Sequence, residues 1–420
     1  MKFSINTLGC KVNNYESEVI KEQFMTAGFF YDEEKPDVCV INTCSVTSQA
    51  DHKSMKIIRQ IKKNHPKAII IVCGCTLENK SIDLSKIPAD IIIGNHDKSK
   101  LINYIKEFKT NKKQITNFYD LMSNDFEAMT IKKYLSKTRA FIKIQDGCNN
   151  YCSYCIIPYV RGTSRSKDFN DAVDEIKNIA SIHQEIVLTG IHTGAYQSGK
   201  YDLVDLIKEI SKIELLKRIR ISSIEVTELN EKFMAELKIN PKICSHLHIP
   251  LQSGTDSILK AMNRKYDLEY YQNTINQIRI IRPNINITTD LIVGFPGETE
   301  ADFNSTIKFL KIIGFSKIHV FPYSIRKGTK ASLMNEQIEA QIKKERVKKI
   351  VELSNNLEEK YEKKFIGETL DVLIENSPNE SHGHTDNYLE INIKEKLKYN
   401  QLYSVKITEI IDNKIYGIII

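Results

Sequence analysis

Three cysteines stand at offsets of four and three residues in Gly147-Cys148-Asn149-Asn150-Tyr151-Cys152-Ser153-Tyr154-Cys155, just after an apolar run at 140–144. Thiolates are the usual protein ligands of iron–sulfur clusters, and a cubane normally takes four of them. Three in one tight loop bind three irons and leave the fourth open to a further ligand. A zinc knuckle or a disulfide would draw on the same residue type. A zinc site, however, shows two paired CxxC or CxxC/His halves, and the second half is missing here.

Three further cysteines follow predicted strands. In the first hundred residues, short apolar segments at 3–8, 38–41, 68–72 and 90–93 alternate with helical spacing at 15–27 and 50–63. Such alternation predicts a parallel sheet covered by helices, and ligands gather at the carboxyl ends of its strands. Cys10 follows the first strand, Cys44 the second and Cys75 the third. The three are expected to converge although more than thirty residues separate each from the next. The competing reading is that they are small core residues, since free cysteine is often buried. Cys39 and Cys244 are read as packing residues, and Cys75 is preferred over Cys73 because it occupies the strand-exit turn after Gly74.

The chain divides into residues 1–110, a polar linker at 111–138, a second α/β unit at 139–365 and a small β unit at 366–420. Within the second unit, strands are expected at 140–146, 185–190, 218–224, 246–251, 286–293 and 317–322. Helices fall at 171–182, 202–213, 228–238, 267–282 and 300–313, with a sixth after the last strand. Six such repeats predict an open, partial (β/α) barrel with its working loops at the strand carboxyl ends. The loop of three cysteines leaves that face, and so do Gly190, Ser223 and Glu225, Gln252-Ser253-Gly254 and Gly294 to Glu298. Residues 335–364, with eight basic and seven acidic side chains, read as a solvated connecting helix. Four short alternating strands from residue 370 on, with a loop at 376–387, predict a small antiparallel barrel.

Composition bounds the setting. The 420 residues are 41% hydrophobic, with no apolar run of the roughly 18 residues that a membrane span needs. Residues 1–6 lack the three-part pattern of a signal peptide. The expected compartment is the reducing cytoplasm, where nine cysteines, an odd number, are metal ligands more readily than disulfides. Net charge is +7, split as +11 over residues 1–366 and −4 over 367–420. A basic body suits a polyanion such as RNA.

Taken together, TLGCKVN (7–13), NTCSVT (42–47), GC (74–75), GCNNYCSYCIIPYVRG (147–162), IPLQSGTDSILKAMNRKY (249–266) and TTDLIVGFPGETEADF (288–303) resemble the methylthiotransferases of the radical S-adenosylmethionine superfamily. The spelling of TLGCKVN and SYCIIPYVRG is most similar to the branch acting on N6-threonylcarbamoyladenosine beside the tRNA anticodon. The resemblance implies two [4Fe-4S] clusters, one on Cys148, Cys152 and Cys155 that cleaves S-adenosylmethionine, and one on Cys10, Cys44 and Cys75 that carries the sulfur. It implies cofactor contacts at Tyr154, Gly190, Ser223, Gln252, Ser253 and Arg264, and a C-terminal TRAM barrel that grips the anticodon stem-loop. One S-adenosylmethionine would methylate the sulfur, and the radical from a second would take hydrogen from C2 of the adenine. The expected partners are tRNA and a reductant such as flavodoxin or ferredoxin, with no membrane, and the expected state is a monomer. Because residues 367–420 are net acidic, RNA contact is also expected on Arg161, Arg165, Lys167, Arg264 and Lys265, beside the strip 394–398. Isopentenyladenosine or a ribosomal-protein aspartate are the alternative substrates. A zinc RNA-binding protein without turnover is the alternative of a different class.

Overall fold

The computed structural model describes residues 1–123, 125–134, 137–377 and 380–420. Asn124, Leu135 and Ser136 of the expected linker, and Pro378 and Asn379 of the expected C-terminal loop, lie outside these residues.

The first sheet is built from β1 (Lys2–Thr7), β2 (Phe30–Tyr31), β3 (Val38–Thr43), β4 (Ile69–Gly74), β5 (Ile91–Ile93) and β6 (Ile115–Asn117). All its pairings are parallel, in the order β2-β1-β3-β4-β5-β6. Every residue of β3 is buried, which is why Val38 to Ile41 run apolar without alternation before the buried Asn42 and Thr43. Helices α1 (Lys11–Thr26), α2 (Ser48–Asn64), the single turn α3 (Cys75–Glu78) and α4 (Leu101–Asn111) make the connections. Strand order reverses between β1 and β3, and ligands in such sheets bind outside the strand ends at that point. β2 and β6 escape sequence reading. The first has two residues, and the second is the polar Ile-Thr-Asn in the stretch expected to be linker, which joins the sheet edge through its backbone.

The second unit begins with β7 (Ala140–Lys143) and a short ribbon of β8 (Gln145–Asp146) with β9 (Arg165–Ser166), on either side of α5 (Ile157–Arg161). It continues through α6 (Phe169–Ala180), β10 (Glu185–Thr189), a hairpin of β11 (Gln197–Ser198) and β12 (Tyr201–Asp202), α7 (Leu203–Ile210) and β13 (Arg218–Ile221). Then follow α8 (Glu231–Ile239), β14 (His246–His248), α9 (Asp256–Ala261), α10 (Leu268–Ile281), β15 (Asn286–Val293), α11 (Glu300–Ile313), β16 (Lys317–Pro322) and α12 (Ala340–Glu362). Two parallel three-stranded sheets, β7-β10-β13 and β14-β15-β16, are joined by a bridge between Ile219 and Ile243. The result is the expected open arc of six βα repeats. Helix starts are written locally: at α11, Thr299 and Asp302 cap each other's backbone N–H, and Gly314 ends the helix in the left-handed region.

α12 is not the solvated connector that its charge predicts. Ile350 is fully buried, the Ile318 N–H donates to Ser354 Oγ (2.9 Å), and Arg346 pairs with Glu298 (2.8 Å). Its buried stripe carries Arg346, Ile350, Ser354 and Tyr361, so polar residues conceal the helix's packing face from a hydrophobicity reading.

The chain ends in a closed barrel of β17 (Thr369–Asn376), β18 (Ser381–Thr385), β19 (Glu390–Ile393), β20 (Leu402–Ile411) and β21 (Lys414–Ile419), in the order β17-β18-β19-β21-β20. Val372, Ile374, Ile391, Val405, Ile407 and Ile415 fill it. Two corrections apply here. β18 lies in the stretch expected to be loop, and β19 pairs parallel with β21 in a barrel expected to be wholly antiparallel. This barrel rests on the starts of the (β/α) strands. Arg218 donates to the carbonyls of His384 (3.0 Å) and Asp371 (2.6 Å), and Arg220 to those of Asp386 (3.0 Å) and Thr385 (3.2 Å).

Candidate metal centres

β1, β3 and β4 are sheet neighbours, so the residues leaving their carboxyl ends meet. Cys10 caps α1, Cys44 directly follows β3 and Cys75 opens α3. The approach is close: Gly9 has φ of +96°, and a Cβ built there would lie 2.5 Å from Cys44 Sγ. Only glycine meets both demands. Cys44 and Cys75 are buried and Cys10 is half-buried. Burial pushes the Cys44 thiol up to about 12, and the Cys75 sulfur adds to the effect. Cys39, Cys73 and Cys244 are enclosed in the interior, as expected of Cys39 and Cys244, and Cys73 belongs to the main apolar core.

The second set occupies one loop at the carboxyl end of the arc. Ser153 ties the loop down, its N–H donating to the Met262 carbonyl (3.0 Å) and its hydroxyl to that of Ala261 (2.8 Å). Asn263 donates to the carbonyls of Asn150 (3.2 Å) and Tyr151 (3.0 Å). Arg264 Nη1 donates to Cys152 Sγ at 3.3 Å, and the same guanidinium pairs with Glu225. Cys148 Sγ lies 3.9 Å from His192 Nδ1, and the other ring nitrogen faces Glu228. Burial works to lower His192, but the Cys148 sulfur and the Glu228 carboxylate outweigh it and lift the imidazole to about 10. Burial raises Cys155 to about 12, with the Cys152 sulfur adding.

Both sets suit iron–sulfur ligation. Each offers three soft thiols whose proton loss in a buried place needs the compensation that a metal supplies. Each also has one sulfur met by a guanidinium N–H. Among the described residues, no three His, Cys, Asp or Glu side chains close around a single ion. In a cubane each thiolate binds its own iron.

The other expected site residues ring the same end of the arc. Gly190 and the half-buried Ser223 leave β10 and β13, and Ser253 is buried. Gln252 has φ of +66°, a strained value for a non-glycine residue, and is held there by backbone pairing with Asp290 and Ile292 of β15 (both 2.9 Å). The Tyr154 ring packs on Ile258, Met262, Phe295 and Tyr323.

The structure overturns part of the expected RNA surface. Arg161, Arg165 and Lys167 are buried. Lys167 pairs with Glu175, while Arg161 and Arg165 belong to an ion network with Lys98, Lys143, Glu16 and Asp146. The Arg264 side chain is 4% exposed and serves Cys152 and Glu225, leaving Lys265 exposed. Sequence reasoning missed this network, for which no local spacing exists, and it missed the pairings of Glu225 and of His192 with Glu228. It also missed a cavity of about 640 Å³ walled by the arc, α12 and the terminal barrel, lined among others by Lys11, Arg220, His246, Glu358, Glu362 and Tyr388. Burial, then Arg139 and Arg220, lower Lys11 to about 8.

Comparison with known proteins agrees with this geometry. Residues 142–310 match the radical SAM superfamily, and residues 2–94 match the family described as uncharacterized protein family UPF0004. The chain is 39% identical to Threonylcarbamoyladenosine tRNA methylthiotransferase MtaB of Bacillus subtilis (strain 168), over 93% of its own length and 90% of the relative's. It is 37% identical to the protein of the same name from Aquifex aeolicus (strain VF5), over 93% and 96% of the two chains. It is 36% identical to tRNA-2-methylthio-N(6)-dimethylallyladenosine synthase of Clostridium tetani (strain Massachusetts / E88), over 99% and 95%. Among solved structures, the apo form of the cobalamin-dependent S-adenosylmethionine radical enzyme OxsB shares the fold with a TM-score of 0.53 and 12% identity. That match takes in 86% of this chain, which spans 56% of the longer protein. Similarity along nearly the whole length, on an open six-repeat barrel with a three-cysteine loop, means that the chain belongs to the tRNA methylthiotransferases of the radical SAM superfamily.

Proposed function

We propose that this chain attaches a methylthio group to C2 of N6-threonylcarbamoyladenosine beside the anticodon of tRNA. Its superfamily works with S-adenosylmethionine and a [4Fe-4S] cluster. Cys148, Cys152 and Cys155 would hold that cluster, and Cys10, Cys44 and Cys75 a second one. When bound, the first supplies the electron that cleaves S-adenosylmethionine, and the second supplies the sulfur. The protein's own groups hold and orient these components. Arg264 fixes Cys152 against Glu225, the Ser153 backbone and hydroxyl fix the loop, and the strained Gln252 turn, with Tyr154, Gly190, Ser223 and Ser253, lines the S-adenosylmethionine site. The observation that carries the two-cluster reading is the division of six thiols into two sets of three, each with a guanidinium on one sulfur.

For RNA, support comes from the exposed Lys394, Lys396 and Lys398 of the terminal barrel. The electron donor in this reading is a flavodoxin or ferredoxin, and the chain works as a monomer in the cytoplasm. No helix among the described residues is long and apolar enough to cross a membrane. The choice of threonylcarbamoyladenosine rests on the Thr7 to Asn13 spelling and on the names of the Bacillus and Aquifex relatives. The dimethylallyl substrate is the second reading, favoured by the Clostridium relative. Mass spectrometry of tRNA nucleosides from cells with and without the protein separates them. Loss of the 2-methylthio-threonylcarbamoyl form is expected. Loss of the dimethylallyl form instead would reassign the substrate.

A further inference from the structure

Arg161 ends α5, six residues beyond Cys155, yet its guanidinium reaches the other set of thiols. It is fully buried, and every one of its nitrogens is directed at an acceptor. Nε donates to Cys75 Sγ at 3.2 Å. Nη1 donates to Glu16 Oε1 and Asp146 Oδ1, both at 3.0 Å. Nη2 donates to Asn13 Oδ1 at 2.7 Å and to Glu16 Oε2 at 3.5 Å. A neutral thiol is a weak acceptor, whereas a thiolate takes a charge-assisted hydrogen bond.

The charges around Arg161 make the same point independently. Lys98, Lys143, Arg161 and Arg165 pair with one another's partners and with only two carboxylates among the described residues, Glu16 and Asp146. All six side chains are 5% exposed or less. Glu78 also feels Lys98 and Arg161, but burial lifts its carboxyl above the ordinary range and it is spent on the Asn95 N–H. Unbalanced cations shut away from water are costly unless an anion completes the site. Among the described residues, Glu127, buried beside Lys98, takes the Ser99 N–H and makes no ion pair with these cations; the other anions at hand are the thiolates. Cys75 touches Arg161 directly, and Cys10 Sγ lies 3.8 Å from the same Asn13 oxygen that Arg161 binds. Three thiolates outweigh the charge of a cubane core, so the ligated cluster is the missing anion.

We propose that Arg161 is a positioning residue for the second cluster. It orients Cys75, supplies counter-charge and raises the cluster's reduction potential, because hydrogen bonds to sulfur and local charge are two of the quantities that set that potential. The loop that ligates one cluster thereby tunes the other, across residues 156–160 alone. This inference rests on the two-cluster reading above.

The test uses the full chain with Cys148, Cys152 and Cys155 replaced by Ala, which isolates the second cluster. Its potential is read by redox titration with electron paramagnetic resonance, and its hold on iron by the rate of loss to a chelator. Arg161→Lys is expected to retain the cluster at a lower potential, since lysine keeps the charge but loses the planar fork. Arg161→Met is expected to lower the potential further and to release iron severalfold faster. Arg59→Lys, at an exposed position of α2, should leave the potential where it was. An unmoved potential and an unchanged chelator rate in both Arg161 variants would overturn the proposal. If Arg161→Met does not fold, Arg161→Lys decides alone. A parent triple variant without iron would instead overturn the two-cluster reading, and this inference with it.

Discussion

The two cysteine sets solve one problem by opposite means. Cys148, Cys152 and Cys155 come from a single loop, half-exposed, and are held by hydrogen bonds from the Ala261–Asn263 turn behind them. Cys10, Cys44 and Cys75 come from three adjacent strand ends, are more deeply buried, and lie against a network of four cations and two carboxylates. The loop set is local and lies at the carboxyl end of the open arc. The strand-end set depends on the fold as a whole, and its surroundings are built to hold buried negative charge.

The sharpest way to break this comparison is to remove one cysteine from each set. Cys152→Ala is expected to abolish both the methylthio product and the 5′-deoxyadenosine that reductive cleavage of S-adenosylmethionine releases. Cys10→Ala is expected to abolish the methylthio product while 5′-deoxyadenosine still forms, read by liquid chromatography of the reaction mixture. Equal loss of both products in the two variants would erase the division of labour.

The next effect is on stability. Glu16→Gln removes the carboxylate that faces Lys98, Lys143 and Arg161, all buried. Breaking such a pair leaves cations uncompensated and is expected to cost about 3–5 kcal/mol, measured by chemical denaturation. Glu225→Gln, whose side chain is 17% exposed, should cost less.

Acid offers a milder form of the same test. Burial works to raise Glu16, but Arg161, Lys143 and Lys98 outweigh it and hold its carboxyl well below the ordinary range, and Asp146 is depressed in the same way. A depressed carboxylate stabilises the fold above its unfolded-state value, about 4.3 for Glu and 3.9 for Asp, and that stability is lost as pH falls toward the native value. The thermal midpoint of the wild-type protein should therefore drop below about pH 4 more steeply than that of Glu16→Gln. The smallest effect is expected at the surface. Replacing Lys394, Lys396 and Lys398 by Gln should weaken RNA binding and reduce the slope of log affinity against log salt by about 1 per lost phosphate contact. Cluster content should not change.

The contrast between the two sets also explains what the sequence could tell. The loop set was legible because its spacing is contiguous, and its fold context was legible because six apolar strands alternate with amphipathic helices. The strand-end set became legible through one topological rule, that neighbouring parallel strands deliver their exits to one edge, and the turn after Gly74 separated Cys75 from Cys73. Arg161 was misread as an RNA contact because a lone arginine carries no sign of burial; its five hydrogen bonds join residues up to 148 positions apart. α12 was misread because Arg346 and Ser354 occupy its packing stripe. β18 was missed because Ser-His-Gly-His-Thr has no apolar residue, although Gly383 is what allows that strand to lie against the Leu373 carbonyl.

If each set holds its own cluster, iron content must follow the two sets separately. Iron and acid-labile sulfide per chain, measured after reconstitution, test it in the wild type and in two triple variants, Cys148/Cys152/Cys155→Ala and Cys10/Cys44/Cys75→Ala. About eight irons are expected in the wild type and about four in each triple variant. About four in the wild type, all lost with one set and none with the other, would contradict it.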